Sequence, residues 1–261
     1  MDNIEWKTRV DLAAAFRLAD LYGWSDMLAT HLSARIPGPD DHFLINPMGV
    51  LFEEIKASDL IKLDVDGNIL SDSSRSINPA GYTIHSAIHI GREDAGCVMH
   101  THTSAGLGVA TQKDGLLPLT QMALAVIANT GYHDYEGPAF DLEERARLIA
   151  DLKDFNILIL RNHGLLTVGK TVSEAFMWMY RAERACRFQL SFQQAGAEAQ
   201  QIPGPVQQIS IERSKKAISS SGHRPIGEFE WPALLRKLKR QNPGIDPVSY
   251  THLTLPTSDL V

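Results

Sequence analysis

Two short histidine phrases constrain this chain more than any other feature: His100 and His102 in Val98-Met-His-Thr-His-Thr-Ser104, and His163 in Leu160-Arg-Asn-His-Gly164. The first pair ends the apolar run Ala95-Gly-Cys-Val-Met-His-Thr-His102, which follows the polar turn Gly91-Arg-Glu-Asp94 and reads as a strand. Side chains two apart on a strand share a face, with alpha carbons roughly 6.5 to 7 Å apart. Two imidazoles can converge from there on one ion, about 2.0 to 2.1 Å from each nitrogen. His163 closes a second strand-like run, Asn156-Ile-Leu-Ile-Leu160, and Gly164 lets the backbone turn sharply behind it. A lone histidine beside an apolar strand is more often a packing residue. Three at two strand ends point to a divalent-metal site.

The rest of the chain reads as alternating strands and helices. Positions 2–22 carry Trp6, Val10, Ala13, Ala14, Leu18 and Leu21 at helical spacing, with Gly23 at the stop position. Leu12 and Phe16 fall off that stripe and imply a second covered face. Positions 27–36 and 42–45 read as strands around the turn signal Pro37-Gly-Pro-Asp-Asp41, and 60–65 as a strand before the tight turn Asp66-Gly67. A helix is expected over 78–91, carrying His85 and His89 four apart on one face, where packing or support of the metal region suits them better than direct ligation. Gly131-Tyr-His-Asp-Tyr-Glu-Gly137 reads as a loop. Asp141 is placed to cap a helix over 142–152, and Thr171 with Glu174 forms a capping box for a long helix to about Gln194. This pattern fits an α/β fold, a three-layer α/β/α sandwich.

One domain is expected over 1–195, then a linker and C-terminal extension over 196–246. Small, polar and proline-containing residues over 196–208 suggest the linker, and Pro232-Ala-Leu-Leu-Arg-Lys-Leu-Lys-Arg240 a short helix. Residues 247–261 read as a non-native or disordered tail. Val248-Ser-Tyr-Thr-His-Leu-Thr-Leu-Pro-Thr257 resembles translated sequencing-adapter read-through, so the chain's own end is expected after about Asp246 and His252 is given no function.

A net charge of −6 offers no global basic field for nucleic acid or anionic membrane, so neither is expected as a partner. Cys97 and Cys186 read as reduced core residues, in keeping with a cytoplasmic location. The N-terminus lacks the parts of a secretory signal, and no apolar run is long enough to span a bilayer.

From Leu21 to about Gln194 the chain resembles the class II aldolase/adducin family, most of all the adducin head domain and its bacterial relatives. The phrases that carry the likeness are His42-Phe-Leu-Ile-Asn-Pro-Met-Gly49, Asn78-Pro-Ala-Gly-Tyr-Thr-Ile-His-Ser-Ala-Ile-His89, His100-Thr-His102, Gly115-Leu-Leu-Pro118, Tyr132-His-Asp-Tyr135, Ile159-Leu-Arg-Asn-His-Gly-Leu165 and Glu174-Ala-Phe176. The resemblance implies a mostly antiparallel central sheet, a homo-oligomer of tetramer type with sites at subunit boundaries, and a divalent ion held by His100, His102 and His163, with zinc favoured over manganese. It implies a lyase of aldolase or decarboxylase type, cleaving a carbon–carbon bond of a small-molecule substrate through a metal-stabilised enolate.

The sequence departs from the sugar-phosphate aldolases of that family at the acid/base glutamate, whose place falls to Gly81, and at the phosphate-binding serines, whose places fall to Pro79 and Ala80. Their early Gly-Asn phosphate element corresponds to Thr30-His31. A non-phosphorylated, oxygenated substrate is therefore expected, with proton transfer by another group; the candidates are His31, His133, Asp134 and Tyr135. The alternative is a non-catalytic, adducin-like oligomerisation or interaction module, cytoskeletal by resemblance.

Overall fold

The structure is a computed structural model and describes residues 3–38, 41–71, 74–137 and 141–245. Its centre is a sheet of seven strands: β1 (His31–Arg35), β2 (Phe43–Ile45), β3 (Ile61–Leu63), β4 (Cys97–Thr101), β5 (Thr130–His133), β6 (Ile157–Leu160) and β7 (Gly164–Gly169). They lie in the order β3-β2-β1-β4-β7-β6-β5. Every neighbouring pair is antiparallel except β5 and β6. A parallel pair needs a long crossover, and helix α5 (Glu144–Leu152) supplies it.

Strand alternation sorts the side chains into two cores. Leu32, Ala34, Cys97, Met99, Ile157, Ile159 and Leu165 face one way, toward α1 (Asn3–Leu21), α3 (Ser104–Ala110), α4 (Gln121–Ile127) and α6 (Val172–Gln194). Val98, Leu158, Leu160, Leu166 and Val168 face the other way, toward α2 (Pro79–Gly91) and α5. The result is the expected three-layer sandwich with a mostly antiparallel sheet. By the same parity His31, Ser33 and His100 point to the α2 side, where His85 and His89 project from α2. The i,i+4 pair does share a face.

Helix α1 is covered on more than one side, which explains Leu12 and Phe16. Both are fully buried, as is Leu18, and each such side chain stabilises the fold by about 1.5 to 3 kcal/mol relative to exposure. Gly23, at φ +70°, ends the helix in the left-handed region. Part of the cover on α1 comes from α8 (Glu230–Gln241): its Trp231 Nε1–H donates to Asp11 Oδ1 at 3.0 Å, and Arg17 Nη1 donates to Asn242 Oδ1 at 2.6 Å just beyond it. The C-terminal extension thus packs into the same core as the strands.

Several elements differ from the sequence expectations. Helix α7 (Gly204–Ile218) begins inside the segment read as linker; none of its residues is buried, so no apolar stripe marks it. Residues 131–133 belong to β5 instead of a loop, because Gly131 admits α5 at close quarters: a Cβ there would meet the Asp151 carbonyl oxygen at 2.5 Å. Helices α3 and α4 are capped by the hydroxyls of Thr103 and Thr120, which accept the Gly106 and Ala123 N–H groups at 3.1 Å each. Each has only seven residues, too short for periodicity to show.

Asp141 accepts the Glu143 N–H at 2.9 Å, one turn-start ahead of α5, which opens at Glu144. Thr171 caps α6 as expected by accepting the Glu174 N–H at 3.2 Å, while the Glu174 carboxylate takes the Lys170 N–H at 2.7 Å, so the reciprocal half of the box lies one residue upstream. Cys97 and Cys186 are free and buried, and burial pushes both thiols up, Cys186 to about 12. No helix among the described residues is long and apolar enough to cross a membrane. The expectations for 247–261, His252 included, lie outside the described residues.

Candidate metal centre

His100 lies near the end of β4, His102 just past it, and His163 in the turn that joins β6 to β7. Because β4 and β7 are paired, with Thr101 opposite Leu165, both chain segments finish at the same end of the sheet. One ligating nitrogen from each of the three rings lies within 4.8 Å of the others, the one such group of three or more potential ligands among the described residues. The β6–β7 turn is tight. Asn162 sits at φ +59° and Gly164 at φ +154°, and a Cβ on Gly164 would meet the Thr101 carbonyl oxygen at 2.5 Å and the His102 ring at 3.2 Å. Asparagine and glycine are residues that tolerate such backbone.

The ring orientations fit a cation. His100 Nδ1 is 3.0 Å from the Leu165 carbonyl oxygen, and His102 Nδ1 is 3.0 Å from Asp26 Oδ2. A carbonyl and a carboxylate only accept, so both rings carry their proton on Nδ1. In the neutral form each then has its lone pair on Nε2, and these two atoms face each other at 2.9 Å. Two lone pairs at that distance repel unless a positive centre lies with them. Tying the distal nitrogen to a carbonyl or carboxylate is the usual second layer of a metal histidine.

Burial, first of all, and the neighbouring imidazoles hold His100 well below the ordinary histidine value; burial, followed by the His102 and His133 imidazoles, brings His163 down to about 4. Both rings are therefore neutral, the ligating form, near pH 7. Beyond His102, the Thr103 hydroxyl donates to Glu183 of α6, whose carboxyl is raised by burial.

The four candidate proton-transfer residues fall in different settings. His31 is buried opposite His100 in the β1–β4 register, with ring centroids 5.0 Å apart. It occupies the space left by Gly81: a Cβ at position 81 would lie 2.8 Å from His31 Cδ2. Tyr135 is half exposed, its ring 6.4 Å from that of His163. Asp134 is largely exposed and lies 3.3 Å from Arg161 Nε. His133 is buried with Nδ1 2.8 Å from Asp151 Oδ2 and Nε2 3.3 Å from Glu144 Oε1, both on α5. His31 and Tyr135 thus share ring contacts with the triad, while His133 and Asp134 are engaged elsewhere. Asp26 was not legible in the sequence. A metal histidine calls for an acceptor behind it, but nothing in the spacing ties a loop residue after α1 to a strand 76 positions later.

The fold is an α/β sandwich with a candidate three-histidine metal site at one end of its sheet. Residues 10–190 match the family described as "Class II Aldolase and Adducin N-terminal domain", and the chain belongs to that family. It is similar to an aldolase II superfamily protein from Pseudomonas syringae, with 47% identity, TM-score 0.87, and 94% of this chain and 98% of that chain covered. It is also similar to L-fuculose 1-phosphate aldolase from Glaciozyma antarctica, with 26% identity, TM-score 0.78, and 92% of each chain covered. Alpha-adducin of Rattus norvegicus is 40% identical over 91% of this chain, a match that spans 34% of alpha-adducin's own length.

Asp26→Asn tests the second layer directly. Losing the carboxylate behind His102 is expected to weaken divalent-metal affinity about 10- to 100-fold, read by competition with a chromogenic chelator, with the circular dichroism spectrum unchanged. Equal affinity in the two proteins would separate Asp26 from the site.

Proposed function

We propose that the chain is a divalent-metal-dependent lyase that cleaves a carbon–carbon bond beside a carbonyl in a small, oxygenated, non-phosphorylated substrate. His100, His102 and His163 hold the ion, zinc in the first place. The observation that carries the reading is the opposed pair of Nε2 lone pairs, each fixed by an acceptor on its far nitrogen. When bound, the ion supplies a Lewis acid that draws electrons from the substrate carbonyl. The Leu165 carbonyl and the Asp26 carboxylate keep the first two ligands turned to it.

His31 is the group best placed to hold and move a proton. Its imidazole fills the volume above Gly81, where the sugar-phosphate aldolases of the family carry a glutamate, so the acid/base function passes from the helix to β1. Tyr135, half exposed with its ring 6.4 Å from that of His163, serves to orient substrate through its hydroxyl. His133, between two carboxylates, and Asp134, beside Arg161, hold β5 and its following loop in place. Pro79, Ala80 and Gly81 offer no hydroxyl or acid, which supports a substrate without the phosphate of L-fuculose 1-phosphate. The same family likeness supports a homo-oligomer, a tetramer in its finer form, and a cytoplasmic setting. In this reading positions 1–195 form the catalytic domain and 196–246 a C-terminal extension.

The test is turnover of hydroxy-aldehydes, 2-oxo acids and aromatic carboxylates by zinc- or manganese-supplemented protein. Cleavage of at least one class is expected, and His100→Ala should abolish it with the fold intact by circular dichroism. A second reading, an adducin-like assembly module, draws on the 40% identity to alpha-adducin and on Gly81. Absence of cleavage throughout the screen, with unchanged self-association in His100→Ala, would favour that second reading.

A further inference from the structure

Four buried polar side chains form an unbroken row beneath the metal centre. His31 Nδ1 is 2.8 Å from His85 Nε2, and His85 Nδ1 is 2.5 Å from Ser33 Oγ. Ser33 Oγ is in turn 2.7 Å from His89 Nε2, and His89 Nδ1 is 3.0 Å from the Ala95 carbonyl oxygen. None of the four side chains belongs to a residue more than 2% exposed. Strand alternation puts His31 and Ser33 on one face of β1, and the helical i,i+4 spacing puts His85 and His89 opposite them on α2.

The direction of the row follows from its end, because a carbonyl oxygen only accepts. His89 therefore carries its proton on Nδ1. Burial, with the adjacent Arg35 guanidinium, pushes this histidine down to about 3, so it is neutral near pH 7 and accepts at Nε2. Ser33 has one hydroxyl hydrogen, which goes to His89, so it accepts from His85 Nδ1–H. His85 is then an acceptor at Nε2 and takes the proton of His31 Nδ1–H. A neutral imidazole has one donor and one acceptor nitrogen, and a single assignment satisfies every contact.

We propose that Ser33, His85 and His89 are positioning residues that lock His31 in its Nδ1–H tautomer, leaving an unprotonated Nε2 on the imidazole that stands beside His100 and above Gly81. A role for that nitrogen in turnover rests on the lyase reading; the lock itself does not. A row that served packing alone would be indifferent to which His31 nitrogen carries the proton.

The tautomer is read from long-range proton–nitrogen correlation spectra of the full chain labelled with 15N-histidine, metal-free and zinc-loaded, with His31 assigned by the loss of its signals in His31→Gln. The wild-type protein is expected to show His31 protonated at Nδ1 only. Ser33→Ala should yield a mixed or Nε2–H population, and Ser33→Thr, which keeps the hydroxyl, should restore the wild-type pattern. Wild-type His31 protonated at Nε2 would overturn the inference with no variant needed, as would an unchanged tautomer in folded Ser33→Ala. With a substrate in hand, Ser33→Ala is expected to lower kcat about tenfold or more with KM little changed, within the range of acid–base contributions. Locked His31 without turnover defeats the lyase reading alone, and turnover with freely exchanging His31 defeats the lock alone.

Discussion

Acidification from pH 7 to about pH 4.5 should unfold the metal-free protein cooperatively. Burial is the first cause that depresses His31, His85, His89, His100 and His163, reinforced by neighbouring imidazoles or, at His89, by Arg35. His163 falls to about 4 and His89 to about 3, and the other three lie well below 6.5. The unfolded chain takes up these protons near pH 6.5 while the folded chain does not. The unfolded state therefore binds more protons in this window, and stability falls as the pH drops below about 6.5 until the folded values are reached. Each proton withheld costs about 1.4 kcal/mol per pH unit. Several together amount to a large share of the roughly 5 to 15 kcal/mol that a domain has in total. Urea unfolding at about pH 7.5, 6.5 and 5.5 measures the slope. A denaturation midpoint unchanged from about pH 7 to 5 would mean that the histidines are not buried together as described.

Gly164→Val should destabilise the fold and destroy the metal centre at once. The backbone there has φ +154°, which side chains rarely adopt, and the added Cβ would lie 2.5 Å from the Thr101 carbonyl oxygen. Backbone strain of about 1 to 3 kcal/mol combines with overpacking of similar size, for an expected loss of about 2 to 6 kcal/mol. The His102 and His100 rings, 3.2 and 3.4 Å from the same Cβ, would have to move as well. Equilibrium denaturation should show the loss, and metal titration of whatever remains folded should show affinity reduced by more than in Asp26→Asn. Wild-type stability with full metal binding would contradict the turn geometry.

The histidine triad was readable because strand period and residue chemistry act locally: His100 and His102 share a face by spacing alone. The α2 face carrying His85 and His89 was readable for the same reason, through the helical period. What the row beneath them does was not, since it depends on Ser33 and His31 coming from a strand some fifty residues away and on which acceptor ends it. Gly81 could be recognised as a missing acid from family likeness, yet only the packing reveals that His31 fills the vacated volume. Helix α7 escaped because it buries no residue, and β5 because Gly131 and the polar Tyr132-His-Asp-Tyr135 read as turn chemistry. There the tertiary contact with α5 outweighs local preference. Asp26 illustrates the remaining limit: an exposed loop carboxylate takes its meaning from the ring it touches.

The most direct test of the whole account is the metal content of the purified chain, measured by mass spectrometry after chelation and again after zinc or manganese supplementation and desalting. One divalent ion per chain is expected for the wild-type protein, and none in His102→Ala under the same treatment. Wild-type protein that holds no stoichiometric ion under any of these conditions would contradict the assignment of His100, His102 and His163.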